Sequence, residues 1–200
     1  MRKFFMSYGV ILILFSIGVF LMFWHSEKPK EQMMYTWPNL PAPIGHERVL
    51  LTLAGQPSEG RIIDELARQL HLDADYRPMV LGTDVYDYRT IVVAVGYSPL
   101  GVYDSGRTLQ EEKDRIQGIL KEVRFREIPL IMIHLDGAGR LDPQTMEFMK
   151  MIAPYTSYFL GLKSMENQME LQKIFSEYRV PITLVNSVND FATPFNSAFR

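Results

Sequence analysis

The sequence predicts an α/β fold: a three-layer α/β/α sandwich on a mostly parallel sheet, preceded by one N-terminal transmembrane helix. Three observations carry that expectation. A charge-free apolar run of 21 residues lies near the N-terminus, short Val/Ile/Leu-rich segments follow it, and longer stretches of helical period separate those segments. The chain has 200 residues, 47% apolar and 22% charged, with 21 Lys+Arg against 23 Asp+Glu and no Cys. These figures exclude a collagen, a disulfide-stapled mini-protein, a cysteine-based zinc module and a disordered tail. The mean hydropathy of -0.04 averages over two solvents, because the first thirty positions hold a disproportionate share of the apolar residues.

The first element is the span Phe4 to Trp24, FFMSYGVILILFSIGVFLMFW. At about 1.5 Å per residue it covers the roughly 30 Å hydrocarbon core of a bilayer. It has no polar face, and Phe4, Phe5, Phe23 and Trp24 put aromatic rings at both headgroup levels. Arg2 and Lys3 ahead of it favour a cytoplasmic N-terminus, against Lys28 and Lys30 behind it. A cleavable signal peptide would have a shorter apolar region and a small-residue cleavage site, and a lipoprotein anchor would need Cys. The expectation is therefore a single-pass signal anchor over 1–25 in the cell membrane, a proline-containing tether over 26–45, and one extracytoplasmic domain over 46–200. Setting aside Arg2, Lys3, Lys28, Lys30 and Glu27 leaves 17 basic against 22 acidic residues. A net negative domain without a basic stripe is no partner for nucleic acid, which needs clustered Lys and Arg on its phosphates.

Within the domain the strand segments are expected at Arg48 to Ala54, Pro78 to Leu81, Thr90 to Val95, Pro129 to Leu135, Ser157 to Leu162 and Pro181 to Asn186. Nearly continuous apolar strands suit a sheet covered on both faces. Helices are expected between them. Ser58 caps a helix to Leu70 with Ile62, Ile63, Leu66 and Leu70 on one face. Thr108 caps a long helix whose inward residues are Leu109, Ile116, Ile119, Leu120 and Val123. Asp142 opens the next with Pro143 at its first position, and Ser164 to Tyr178 supplies Met165, Met169, Leu171, Ile174 and Phe175. A short C-terminal helix interrupted by Pro194 and a brief helix near Tyr86 complete the set. Strand alternating with helix gives parallel pairing through right-handed crossovers. The expected order is 2-1-3-4-5 with a sixth strand at the end, as in flavodoxin-like and Rossmann-like folds, where ligands bind outside the carboxyl ends of the strands.

That rule selects the loops to read. After the first strand, Gly55, Gln56 and Ser58 precede Gly60-Arg61, a spacing near that of a phosphate loop. Arg61 stands where that loop needs Lys, and Ile62 stands where it needs a hydroxyl for magnesium, so nucleotide binding is not expected. After the third, Tyr97 and Ser98 open a loop of about a dozen residues, long for a compact domain. After the fourth, His134 and Asp136 share a face of an extended chain, where they could hold a metal, act as acid and base, or orient each other. Two ligands are not a metal site, and no metal or other cofactor is expected. After the fifth, Lys163 offers a positive charge and Ser164 a cap.

Four short stretches, Leu53-Ala54-Gly55-Gln56-Pro57, Val95-Gly96-Tyr97-Ser98 with Gly101, Ile133-His134-Leu135-Asp136-Gly137, and Tyr158 to Ser164, follow the strands in that order. From about His46 to the C-terminus the chain resembles a bacterial family of extracytoplasmic proteins called domain of unknown function 6305. The resemblance implies fold and location and carries no activity. The functional expectation is an anchored domain that binds a small polar or anionic ligand, or an envelope protein partner, through these loops. The alternatives are an envelope hydrolase or transferase using His134 and Asp136, and a structural accessory subunit.

Overall fold

A computed structural model describes residues 40–136, 141–165 and 168–200. The apolar span Phe4 to Trp24, the tether up to residue 39, Gly137 to Arg140, and Glu166 with Asn167 lie outside the described residues. Among the described residues no helix is long and apolar enough to cross a membrane.

Six parallel strands form one sheet: β1 (Val49–Ala54), β2 (Ala74–Tyr76), β3 (Thr90–Val95), β4 (Leu130–His134), β5 (Tyr158–Leu162) and β6 (Ile182–Val185). They lie in the order β2-β1-β3-β4-β5-β6. Leu51 stands beside Val92, Val92 beside Ile131, and Ile131 beside Tyr158, so the apolar runs coincide in depth across the sheet. Every residue of β1, β3, β4 and β5 is buried. A strand with water on one face would alternate, so both faces of the central sheet are covered. The covering helices are α1 (Gly60–Gln69), α2 (Pro99–Asp104), α3 (Leu109–Arg126), α4 (Pro143–Ile152), α5 (Gln168–Glu177) and α6 (Ala192–Ser197).

Several expected elements moved. The second strand is Ala74–Tyr76 rather than Pro78 to Leu81. An edge strand needs only one bonded side, which Asp75 and Tyr76 supply against Leu50 and Leu51, whereas Pro78 has no N–H and the chain turns there, Val80 N donating to Arg77 O. Of the expected run only Val80 faces inward; Met79 and Leu81 are each 48% exposed. Near Tyr86 there is a single 3-10 turn, Gly82–Asp84. The loop after β3 contains α2, which was not expected, capped by Ser98. Ser58 does not cap α1: the cap position is Glu59, and the buried residues of the helix are Gly60, Ile63 and Ala67, with Ile62 41% exposed. Pro194 does not interrupt α6, because it sits in the first turn, where its missing N–H has no partner to lose. Ser164 lies in a turn and the helix after it begins at Gln168, with Met169 exposed. At the start of the domain, Leu40 is buried and Ile44 N and Gly45 N both donate to Ala198 O, so the end of the tether packs onto the domain.

The caps of α3 and α4 are as expected. Thr108 Oγ1 accepts from Glu111 N at 3.2 Å while Thr108 N donates to Glu111 Oε2 at 2.7 Å, a reciprocal capping box. Thr108→Ala removes one half of that exchange at an exposed site, and urea denaturation is expected to show a loss of about 1 kcal/mol with unchanged m-value.

Candidate functional site

The reversal in strand order falls between β1 and β3, and the chain exits from these two strands meet there. Gly55, at φ +82°, and Gln56, at φ +56°, turn the chain sharply off β1. Ser98 N donates to Gly55 O at 2.8 Å and Gly96 N to Ala54 O at 3.0 Å, so the two exits are stitched together beyond the last paired residues. A Cβ on Gly96 would lie 3.0 Å from Pro57 and 3.8 Å from Asp136 Oδ2, which places the Asp136 carboxylate beside both exits.

The stitch is held from below by a buried ion pair on α3. Glu112 and Arg115 have side-chain exposures of 0% and 1% and meet at 2.7 Å. Glu112 Oε1 accepts from Gly55 N at 3.2 Å and from Gln56 Nε2 at 3.0 Å. Arg115 donates to Glu112 Oε2, to Val80 O and to Leu53 O. Gln56 Nε2 also reaches Pro78 O. One carboxylate and one guanidinium thus tie together β1, its exit loop and the segment after β2. Both charges have hydrogen bonds in addition to each other, the condition under which a buried pair is tolerated.

A second fixed point lies on α4. Asp142 Oδ1 accepts from Thr145 N at 2.7 Å, and the fully buried Thr145 hydroxyl bonds Asp142 Oδ2 at 3.0 Å and accepts from Tyr97 N at 2.8 Å. The helix cap therefore also holds the exit of β3.

His134 ends β4 between these two supports. Its ring is 1% exposed, and Nδ1 lies 2.7 Å from Val95 O. A carbonyl only accepts, so Nδ1 carries the proton and Nε2 presents a lone pair. Nε2 is buried and has no hydrogen-bond partner among the described residues. Burial pushes the imidazole below its ordinary 6.5, against the Val95 bond and the charges of Glu59 and Asp142, which favour protonation. Because the unfolded chain binds this proton more readily than the folded one, stability declines as pH falls below 6.5, until the folded-state value is passed. The midpoint of urea unfolding of the wild type should therefore drop between pH 7 and 5 by more than that of His134→Gln. Asp75, held low by the Tyr88 hydroxyl and Arg48, contributes stability that is lost only at more acid pH, below 3.8.

Of the residues singled out from sequence, Gly55, Gln56, Tyr97, Ser98, His134 and Asp136 gather at this edge. Gly55, Gln56, the Tyr97 amide and the Ser98 hydroxyl serve internal hydrogen bonds there, Ser98 Oγ accepting from Gly101 N at 3.1 Å. Ser58 is exposed in the turn before α1, and Lys163 and Ser164 are exposed in the turn after β5. Among the described residues no three His, Asp or Glu side chains are grouped to hold a metal ion. Glu112 and Arg115 were not anticipated, although Glu112 stands three residues after Leu109 and four before Ile116. A charge on the apolar stripe of a helix was the available signal.

A family model described as Domain of unknown function (DUF6305) matches residues 46–199. A solved structure, a serine-to-alanine mutant of the esterase AlinE4, is similar with 13% identity, covering 72% of this chain and 77% of that chain at a TM-score of 0.30, a likeness too loose to carry an argument. No curated protein matches.

Proposed function

We propose that this chain, which belongs to the DUF6305 family, is a membrane-anchored extracytoplasmic domain that binds a small polar ligand at the carboxyl edge of its sheet. Membership is the premise because the matched stretch, 46–199, contains every residue of the site, so the loops act as parts of one domain. What carries the reading is His134 Nε2, a buried ring nitrogen without a partner among the described residues, held beside the strand-order reversal where open α/β sheets place their ligands. Buried polar atoms are nearly always paired, so the chemistry of Nε2 at this position favours a ligand atom as its partner. The anchor is supported by the uncharged run Phe4 to Trp24, and the N-in orientation by Arg2 and Lys3.

A library of small polyols, amines and carboxylates screened by thermal shift on the detergent-solubilised full chain tests the binding role. At least one compound is expected to raise the melting temperature of the wild type, about 2.7 kcal/mol of stabilisation at a hundredfold excess over Kd, and to lose that effect in His134→Phe. A library without such a compound rejects the binding role. Orientation has its own test: protease added to intact spheroplasts should remove the domain, and full protection would reverse the assignment.

A partner surface on the same edge is the second reading. Leu100 and Tyr103, one helical turn apart on α2, are 76% and 79% exposed, which is costly unless something covers them. The hydrolase or transferase alternative is less well supported, since the Ser98 hydroxyl is engaged as a cap.

A further inference from the structure

We infer that the ligand group received at this site is a hydrogen-bond donor, a hydroxyl or an ammonium presented to His134 Nε2, and that fully ionised oxyanions such as carboxylate and sulfate are rejected; the inference rests on the binding role proposed above. The tautomer decides the first half. With Nδ1 donating to Val95 O, a neutral ring has only an acceptor left to offer, and a carboxylate or sulfate oxygen set against it would put lone pair against lone pair.

The backbone decides the second half. Loops at the carboxyl ends of parallel strands commonly bind anions through free N–H groups. Here five donors of the β1 and β3 exits are engaged. Gly55 N goes to Glu112, Gly96 N to Ala54 O, Tyr97 N to Thr145, Ser98 N to Gly55 O and Gly101 N to Ser98 Oγ. The charges of Glu59 and Asp142 also bear on the ring and repel an anion. Glu59 stands at the N-terminus of α1, where an anion would otherwise bind. A lone acceptor between two exits with these five amides engaged selects a donor.

The test is read at the nitrogen itself. In the full-length chain carrying His25→Gln, His46→Gln and His71→Gln, His134 is the sole histidine, and nitrogen-15 labelling isolates its two ring signals. At pH 7 the expected pattern is a protonated Nδ1 and a bare Nε2. Glycerol supplies hydroxyl donors, methylammonium an ammonium donor, and acetate and sulfate supply acceptors only. Glycerol or methylammonium is expected to shift the Nε2 signal saturably with Nδ1 still protonated, the active one naming the donor, while acetate and sulfate leave it in place. A proton on Nε2 in the unliganded protein overturns the inference, as does a saturable shift produced by acetate or sulfate, or silence toward both donors. None of these outcomes touches the binding role, which falls only if the thermal-shift library yields no His134-dependent compound.

Discussion

Glu112→Ala is expected to cost about 3–5 kcal/mol, because it leaves the Arg115 guanidinium buried without its carboxylate. For a domain of this size that lowers Tm by roughly 10 °C. The loss should reach beyond the pair, since Glu112 also accepts from Gly55 N and Gln56 Nε2, and an amide stripped of its acceptor in a dry site carries its own penalty. Arg115→Met should be damaging for the complementary reason, an unpaired buried carboxylate together with unsatisfied Val80 and Leu53 carbonyls. The double variant Glu112→Ala/Arg115→Met removes both charges, so its destabilisation should fall well short of the sum of the single changes. Thermal denaturation of the four proteins measures this. A Glu112→Ala loss below 1 kcal/mol, or strict additivity, would show that the pair does not hold the β1 exit.

Gly55→Ala is the second large expected effect, about 2–4 kcal/mol. At φ +82° an L side chain is strained by about 1–2 kcal/mol. The new methyl would also lie 2.4 Å from Gly96 O, and backbone cannot swing aside as a flexible side chain can. Relieving the contact means separating the exits of β1 and β3, adding the roughly 1–3 kcal/mol of an overpacked interior. The substitution should therefore also disturb the Val95 carbonyl that fixes the His134 tautomer. A melting curve within 2 °C of the wild type, with an unchanged His134 ring spectrum, would refute the close approach of the two loops.

Most of the parallel α/β pattern was legible along the chain. Thr90–Val95 reads as a covered strand because six residues in succession are apolar or β-branched, and that is a statement about solvent on both faces that needs no partner to be visible. Thr108 with Glu111 and Asp142 with Pro143 announce helix starts because capping is settled within four residues. The edge strand was misplaced for the opposite reason. Ala74–Tyr76 has no apolar run of its own and is a strand only because Val49 to Leu51 offer it a ladder. Met79-Val80-Leu81 has a strand's apolar composition but lies in a turn that packs only Val80 inward.

The site divides the same way. Gly55, Gln56, Tyr97, Ser98, His134 and Asp136 were identified by topology alone, since crossovers of one hand deliver the strand ends to one edge. What each residue does there could not be read locally. Ser98 in isolation is a hydroxyl that could react, and the structure makes it a cap. His134 in isolation is an ionisable ring, and enclosure with one carbonyl makes it a neutral acceptor.

By itself, then, the sequence determined the class of fold, the order of its strands, the anchor expectation and the edge on which to look. Those follow from periodicity, charge and chain direction, all properties of neighbours in the chain. Only the tertiary structure decided that Glu112 and Arg115 brace the β1 exit and that His134 keeps its lone pair. Hydrogen bonds between residues 39 or 57 positions apart are specified by packing in three dimensions, and no local pattern of residues encodes them.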